Sequence, residues 1–216
     1  MIKKILKYII ITILLFFFSG YLFYTCYFLR SPERNIPNDN TKFVSPANGE
    51  IIAIIRYDEK LKTTTLYKKN NVVLDDWRAD FETGATLISI MMTPMDVHYQ
   101  KAPLSSKFLT SEYKAGNFFN AMKKGEFMKS TFQNEHNIMN FITPEGYKFR
   151  IIQIAGFLAR RIVDFLEPNQ ALIQGEKIGL IKLGSQVSIV VDKNFQVIAK
   201  VGDKVIDGET VLARKK

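Results

Sequence analysis

Residues 8–29 form a run of 22 positions without a charge, built mostly from Ile, Leu, Phe and Tyr. No other feature constrains the fold as strongly. As a helix rising ~1.5 Å per residue, the run reaches about 33 Å, enough to cross a hydrocarbon core of roughly 30 Å. Lys3, Lys4 and Lys7 precede it, and Arg30 and Arg34 follow. Basic residues on both sides leave its orientation open. Tyr21, Tyr24 and Tyr27 gather near the second boundary, where amphipathic rings favour the interface. A cleaved signal needs a shorter apolar core and small residues at the cut, and residues 20–27 offer no convincing site. The run therefore reads as a retained anchor, residues 1–30.

The rest of the 216 residues has room for one globular domain. Residues 31–42 are polar and turn-rich and read as a linker; the domain then spans 43–216. Short runs rich in Ile, Val, Phe and Thr predict strands at 50–57, 63–67, 86–92, 138–143, 148–154, 161–166, 178–183, 187–191 and 196–201. One helix is expected around 117–124. Many short strands divided by Gly, Asn, Asp and Pro predict a mainly β fold, a flattened barrel or sandwich.

A weak internal repeat refines that expectation. Gly175-Glu176 and Gly208-Glu209 stand in matching settings, each after an apolar residue and before a hydrophobic strand start. Glycine there supplies the positive φ of a tight turn. Paired hairpins of this kind recur in biotinyl and lipoyl domains. No lysine stands at a turn tip with Met neighbours, so a swinging-arm carrier is not expected.

Several chemistries drop out. Cys26 is the single cysteine, so no intrachain disulfide holds the fold. His98 and His136 are far apart and lack Cys partners, which argues against a metal site. The net charge of +9 favours anionic partners, but Lys68-Lys69, Lys123-Lys124 and Arg214-Lys215-Lys216 are scattered. They form no stripe suited to nucleic acid. An anionic membrane surface fits better.

Five segments in order carry a more specific signal. They are Phe28-Leu29-Arg30-Ser31-Pro32-Glu33-Arg34, Ser45-Pro46-Ala47-Asn48-Gly49, the stretch Thr93-Pro94-Met95-Asp96-Val97-His98-Tyr99-Gln100-Lys101-Ala102-Pro103, then Gln153-Ile154-Ala155-Gly156-Phe157-Leu158-Ala159-Arg160-Arg161-Ile162, and Gly175-Glu176 through Leu183-Gly184-Ser185. Together they resemble the short, archaeal-type form of phosphatidylserine decarboxylase, from about Phe28 to the carboxyl end.

That resemblance implies a proenzyme that cuts itself between Gly184 and Ser185, leaving a β chain of residues 1–184 and an α chain of 185–216. Ser185 would become a covalent pyruvoyl group, a pyruvate cofactor derived from the serine itself, which forms a Schiff base with phosphatidylserine. It would yield phosphatidylethanolamine and carbon dioxide in membrane phospholipid biosynthesis. His98 is the candidate for proton transfer, since an unperturbed imidazole titrates at roughly 6.5. Asp96, two positions away, would share a face with it if the segment were extended. Arg160 and Arg161 are candidates for a substrate phosphate or carboxylate. The likeness also implies anchorage in the cell membrane with the domain at the cytoplasmic face, and permits a homo-oligomer.

Three positions depart from the family pattern. Asn48 stands where the family has Asp, and Gln186 replaces the usual Arg. His136 occupies another Arg position. Asn48 and Lys101 match the places that help activate the cleaving serine in longer relatives. An amide cannot take up a proton as a carboxylate does. Two other readings stand beside the main one: a catalytically degenerate relative, and a non-enzymatic, membrane-anchored adaptor with a lipoyl-like β domain.

Overall fold

The computed structural model describes residues 2–56, 84–120, 131, 133–157, 161–182 and 185–216. They fall into two compact units, Met1–Pro32 and Glu33–Lys216.

The first unit is the apolar helix. Helix α1, Ile2–Leu22, continues as a π-helical stretch over Phe23–Phe28. Lys3–Phe28 is long and apolar enough to cross a membrane. The hydroxyls of Thr12 and Thr25 donate to the carbonyls of Tyr8 and Tyr21, each at 2.9 Å. These bonds satisfy groups that hydrocarbon cannot. Arg30 Nη1 donates to the Tyr27 carbonyl at 2.8 Å, and its guanidinium lies 4.0 Å from the Tyr27 ring centre.

The second unit is a β fold with fourteen strands among the described residues. In chain order these are β1 Lys42–Val44, β2 Gly49–Arg56, β3 Thr86–Met92, β4 Tyr99–Lys101, β5 Ser106–Lys114, β6 His136–Ile142 and β7 Lys148–Ile154. There follow β8 Arg161–Asp164, β9 Ala171–Leu172, β10 Lys177–Lys182, β11 Ser185–Val191, β12 Phe195–Val197, β13 Lys204–Val205 and β14 Val211–Lys215. An eight-stranded sheet runs β13-β2-β3-β11-β7-β6-β5-β9, and two three-stranded sheets run β1-β14-β12 and β4-β10-β8. All named pairings are antiparallel. The mainly β architecture expected from the sequence is thus the observed one.

Aromatic packing closes the core. Phe43 meets Phe149 edge-on at 5.4 Å, and Phe149 stacks on Phe141 at 4.9 Å with planes 5° apart. Ile88, Ile90, Met92, Val187, Ile189 and Val191 line the same cluster from β3 and β11. They alternate along each strand, as side chains on one face must.

The internal repeat emerges as matched hydrogen bonds. Val44 N–H donates to the Pro103 carbonyl at 3.2 Å, and Lys101 N–H to the Pro46 carbonyl at 2.9 Å. Gly175 N–H donates to Ala102 and Gly208 N–H to Ser45, both at 2.8 Å. Both glycines have positive φ, at 86° and 74°. A Cβ on either would lie 2.6 Å from Ile36 Cδ1, so one isoleucine plugs both turns.

Some boundaries differ from expectation. Residues 31–42 read as a linker, yet Asn35 N–H donates to Glu209 Oε1 and Asp39 N–H to Gln174 Oε1, both at 2.9 Å. The helix expected at 117–124 is not formed over its described part. Asn117 instead bridges to Asn134, and residues 118–120 are irregular. The strand expected at 63–67 lies outside the described residues. The one expected at 196–201 is limited to β12, because Ile198 and Ala199 both turn their N–H groups onto the Leu212 carbonyl.

Candidate active site

β11 is the fourth strand of the eight and is buried along its whole length. It begins at Ser185, two residues earlier than its hydrophobic pattern indicated. Ser185 pairs with Met92 on β3, and Gln186 pairs with Ile154 on β7. Ser185 therefore shares a face with Val187, Ile189 and Val191 and points toward the core. Its hydroxyl is fully buried and donates to Met92 Sδ at 3.6 Å. A thioether is a weak acceptor, so this contact ties the oxygen down only lightly. Gly184 and Arg160 lie outside the described residues.

The segment carrying His98 runs beside this strand start. β3 ends at Met92, opposite Ser185, and the chain turns at once. Asp96 Oδ2 accepts from both Thr93 N–H and Thr93 Oγ1, each at 2.7 Å. The expected extended arrangement of Asp96 and His98 is replaced here by a turn, because Asp96 closes a hydrogen-bonded loop on Thr93. His98 is fully buried. Its carbonyl accepts from Gln100 Nε2 at 2.7 Å and from the Ile181 N–H at 3.4 Å. The 93–98 loop thus starts beside Ser185 and ends beside Ile181.

Asn48 and Lys101 are brought together, but around a carboxylate that sequence reasoning missed. Asp207, fully buried, accepts from Arg34 Nε at 3.1 Å and Nη2 at 2.5 Å, while Lys101 Nζ lies 3.7 Å from its other oxygen. Asn48 Oδ1 accepts from the Asp207 N–H at 2.7 Å and from Arg34 Nη2 at 3.3 Å. Burial pushes the Lys101 ammonium below its ordinary pKa, and Asp207 opposes that shift. Among the described residues, neither Asn48 nor Lys101 bonds to Ser185. The β4–β10 register sets Lys101 opposite Lys177, at the end of β10 remote from Ser185. No local motif flags Asp207 and Arg34 as partners, since 173 positions separate them.

Arg161 is exposed at the start of β8 and pairs directly with Lys182 on β10. Like charges set opposite each other across an antiparallel pair repel. Lys182 lies three residues before Ser185 and was not singled out by the sequence. Gln186 is buried and accepts from Thr131 Oγ1 at 2.5 Å. His136 Nδ1 lies 2.8 Å from the Asn134 carbonyl. A carbonyl can only accept, so Nδ1 carries the proton in this pair. Asn134 in turn clasps Phe119 through its N–H and carbonyl and reaches the Ala155 carbonyl, each bond at 2.8 Å.

The family model for phosphatidylserine decarboxylase covers residues 22–213. A phosphatidylserine decarboxylase proenzyme of Desulfotalea psychrophila is 35% identical over 203 residues, covering 94% of this chain and 84% of that protein. A putative archaetidylserine decarboxylase proenzyme of Methanocaldococcus jannaschii is 33% identical over 196 residues, with coverages of 90% and 91%. A phosphatidylserine decarboxylase proenzyme of Pelagibacter ubique is 34% identical over 215 residues, with coverages of 96% and 91%. Similarity sustained along nearly the whole of both partners shows that this chain belongs to the phosphatidylserine decarboxylase family, a family of carboxy-lyases.

Proposed function

We propose that the chain is a self-processing precursor whose Ser185 becomes a pyruvoyl group, and that the mature protein decarboxylates a membrane lipid with a phosphoserine headgroup. The observation that carries this reading is the placement of Ser185. A buried hydroxyl heads the central strand opposite Met92, and the segment that follows Met92 leads to the buried His98, whose carbonyl accepts from the Ile181 N–H.

The cut balances as an intramolecular step followed by elimination. Ser185 Oγ attacks the Gly184 carbonyl carbon, the C–N bond breaks, and the proton from oxygen passes to the freed nitrogen, giving an ester. Loss of the Ser185 α-proton expels the Gly184 carboxylate. One water then releases ammonia from the dehydrated residue and leaves a ketone at the new terminus. That pyruvoyl group supplies an electron sink for the carbon–carbon bond that breaks as carbon dioxide leaves.

The chain's own residues supply the rest. His98, buried and held by its carbonyl, returns a proton to the carbon that loses carbon dioxide. Arg161 and Lys182 neutralise the phosphate or carboxylate of the headgroup. Asp96 keeps the 93–98 loop closed. The apolar helix holds the protein in the bilayer where its substrate resides, with the domain at the cytoplasmic face.

Intact-mass analysis of the purified chain tests this. Two species are expected, residues 1–184 with a free carboxylate and residues 185–216 beginning with a pyruvoyl group. Ser185→Ala should stay whole and release no carbon dioxide. A single uncut species from the unaltered chain, after long incubation in lipid or detergent, would sink the reading.

A further inference from the structure

Three buried side-chain amides form a single file from Asp164 to the backbone of His98. Asn137 Nδ2 donates to Asp164 Oδ2 at 2.9 Å and to Gln153 Oε1 at 3.2 Å. Gln153 Nε2 donates to Gln100 Oε1 at 2.8 Å and to the Val163 carbonyl at 3.2 Å. Gln100 Nε2 donates to the His98 carbonyl at 2.7 Å. Gln100 and Gln153 are fully buried, and Asn137 is nearly so.

The direction of every amide in this file is forced. A carboxylate and a backbone carbonyl only accept. Asp164 and Val163 therefore claim donors from Asn137 and Gln153. Gln153 must then turn its oxygen to Asn137, and Gln100 must turn its oxygen to Gln153. Gln100 is left with its NH₂ facing His98. Reversing one member would set two donors or two acceptors against each other inside a site that water does not reach, and such a network is costly when half satisfied.

The strand ladder alone holds His98 weakly. Its carbonyl receives the Ile181 N–H at 3.4 Å, beyond the usual range for such a bond, and Gln100 is the nearer donor. The file also crosses between sheets, joining β6 and β7 to β4 and β8. β10 carries Gly179 where Gln153 passes. A Cβ there would lie 2.6 Å from Gln153 Nε2 and 2.7 Å from the Val163 carbonyl.

We infer that Gln153 is a positioning residue for His98, that Gln100 transmits its hold to the peptide following His98, and that Asp164 fixes Asn137 at the head of the file. A fixed carbonyl fixes the peptide plane, and with it the direction in which the imidazole leaves the backbone. This rests on the reading of His98 as the proton-transfer residue for its catalytic meaning, but not for its geometry.

The chain contains two histidines. A sample labelled with ¹⁵N-histidine, full length and in detergent micelles, therefore gives two sets of ring nitrogen signals, assigned through His136→Gln. In Gln153→Leu the His98 ring shifts move and the His136 shifts stay, kcat falls at least tenfold, and KM stays within twofold. The cut at residue 185 still occurs. Gln100→Met, close to glutamine in length and shape, removes the donor to the His98 carbonyl and moves the same His98 signals, and it decides the matter where Gln153→Leu fails to fold. Unmoved His98 signals in a folded variant, or unchanged kcat, overturn the inference. If the unaltered chain releases no carbon dioxide, the role of His98 falls, while the ring shifts still decide whether Gln153 positions it.

Discussion

The backbone N–H of Asp207 donates to Asn48 Oδ1 at 2.7 Å, and in the matching half of the repeat the N–H of Gln174 donates to Ser105 Oγ at 3.1 Å. Asn48 therefore has a structural duty that an aspartate would also fulfil. Asn48→Ala removes the acceptor from a buried N–H, which costs about 1–3 kcal/mol. Asn48→Asp keeps the acceptor and sets a second carboxylate beside Arg34, so its loss should be the smaller. Urea unfolding of the two variants checks the order, and equal losses would remove the duty from Asn48.

Asp207→Asn should be the more damaging change. It leaves Arg34 and Lys101, with side chains only 12% and 9% exposed, without the carboxylate that compensates them. Breaking a buried ion pair from one side costs about 3–5 kcal/mol. The midpoint of denaturant unfolding measures this, and a loss under about 1 kcal/mol would show that water reaches the cations.

His98→Gln should separate maturation from turnover. The hydroxyl and glycine that make the cut are untouched, so residues 185–216 still appear as a separate chain by mass. Carbon dioxide release falls by roughly 10²-fold or more, the usual worth of a positioned proton donor. Unchanged turnover would remove His98 from the chemistry.

Acid stability should respond to Asp39. Hydrogen bonds from the Thr41 hydroxyl and N–H, with Lys42 beside it, hold its carboxyl at about 2 instead of 3.8. A depressed carboxyl stabilises the fold above the unfolded value and loses that contribution as pH falls through the folded one. The window therefore lies between pH 3.8 and about 2. Asp39→Asn should flatten the decline of stability in that window, as followed by thermal melting. An unaltered acid profile would contradict this.

The sequence made the apolar helix and the strand pattern legible because both rest on local runs of residues. Ser185 at a strand start was legible only through the order of the motifs, since a Gly-Ser pair alone is ordinary turn chemistry. β5, the longest strand among the described residues, was not legible because residues 109–114 are not buried and read Leu-Thr-Ser-Glu-Tyr-Lys, with no apolar alternation to announce it. β1, β4, β9 and β13 are only two or three residues long, too short for a period to show. The Asp207–Arg34 pair and the amide file were out of reach for another reason. Their members are polar residues scattered along the chain, and only strand register brings them together.

The central place of β11 decides what a cut ahead of Ser185 does to the molecule. The shorter piece keeps β3 on one flank and β7 on the other, and it also contributes β12, β13 and β14. It cannot slip out while the rest stays folded. Once both pieces are melted apart, however, renaturation becomes a meeting of two molecules. The mature protein would be robust in use yet reluctant to recover from denaturation, and its yield on refolding would depend on concentration where the uncut precursor's would not.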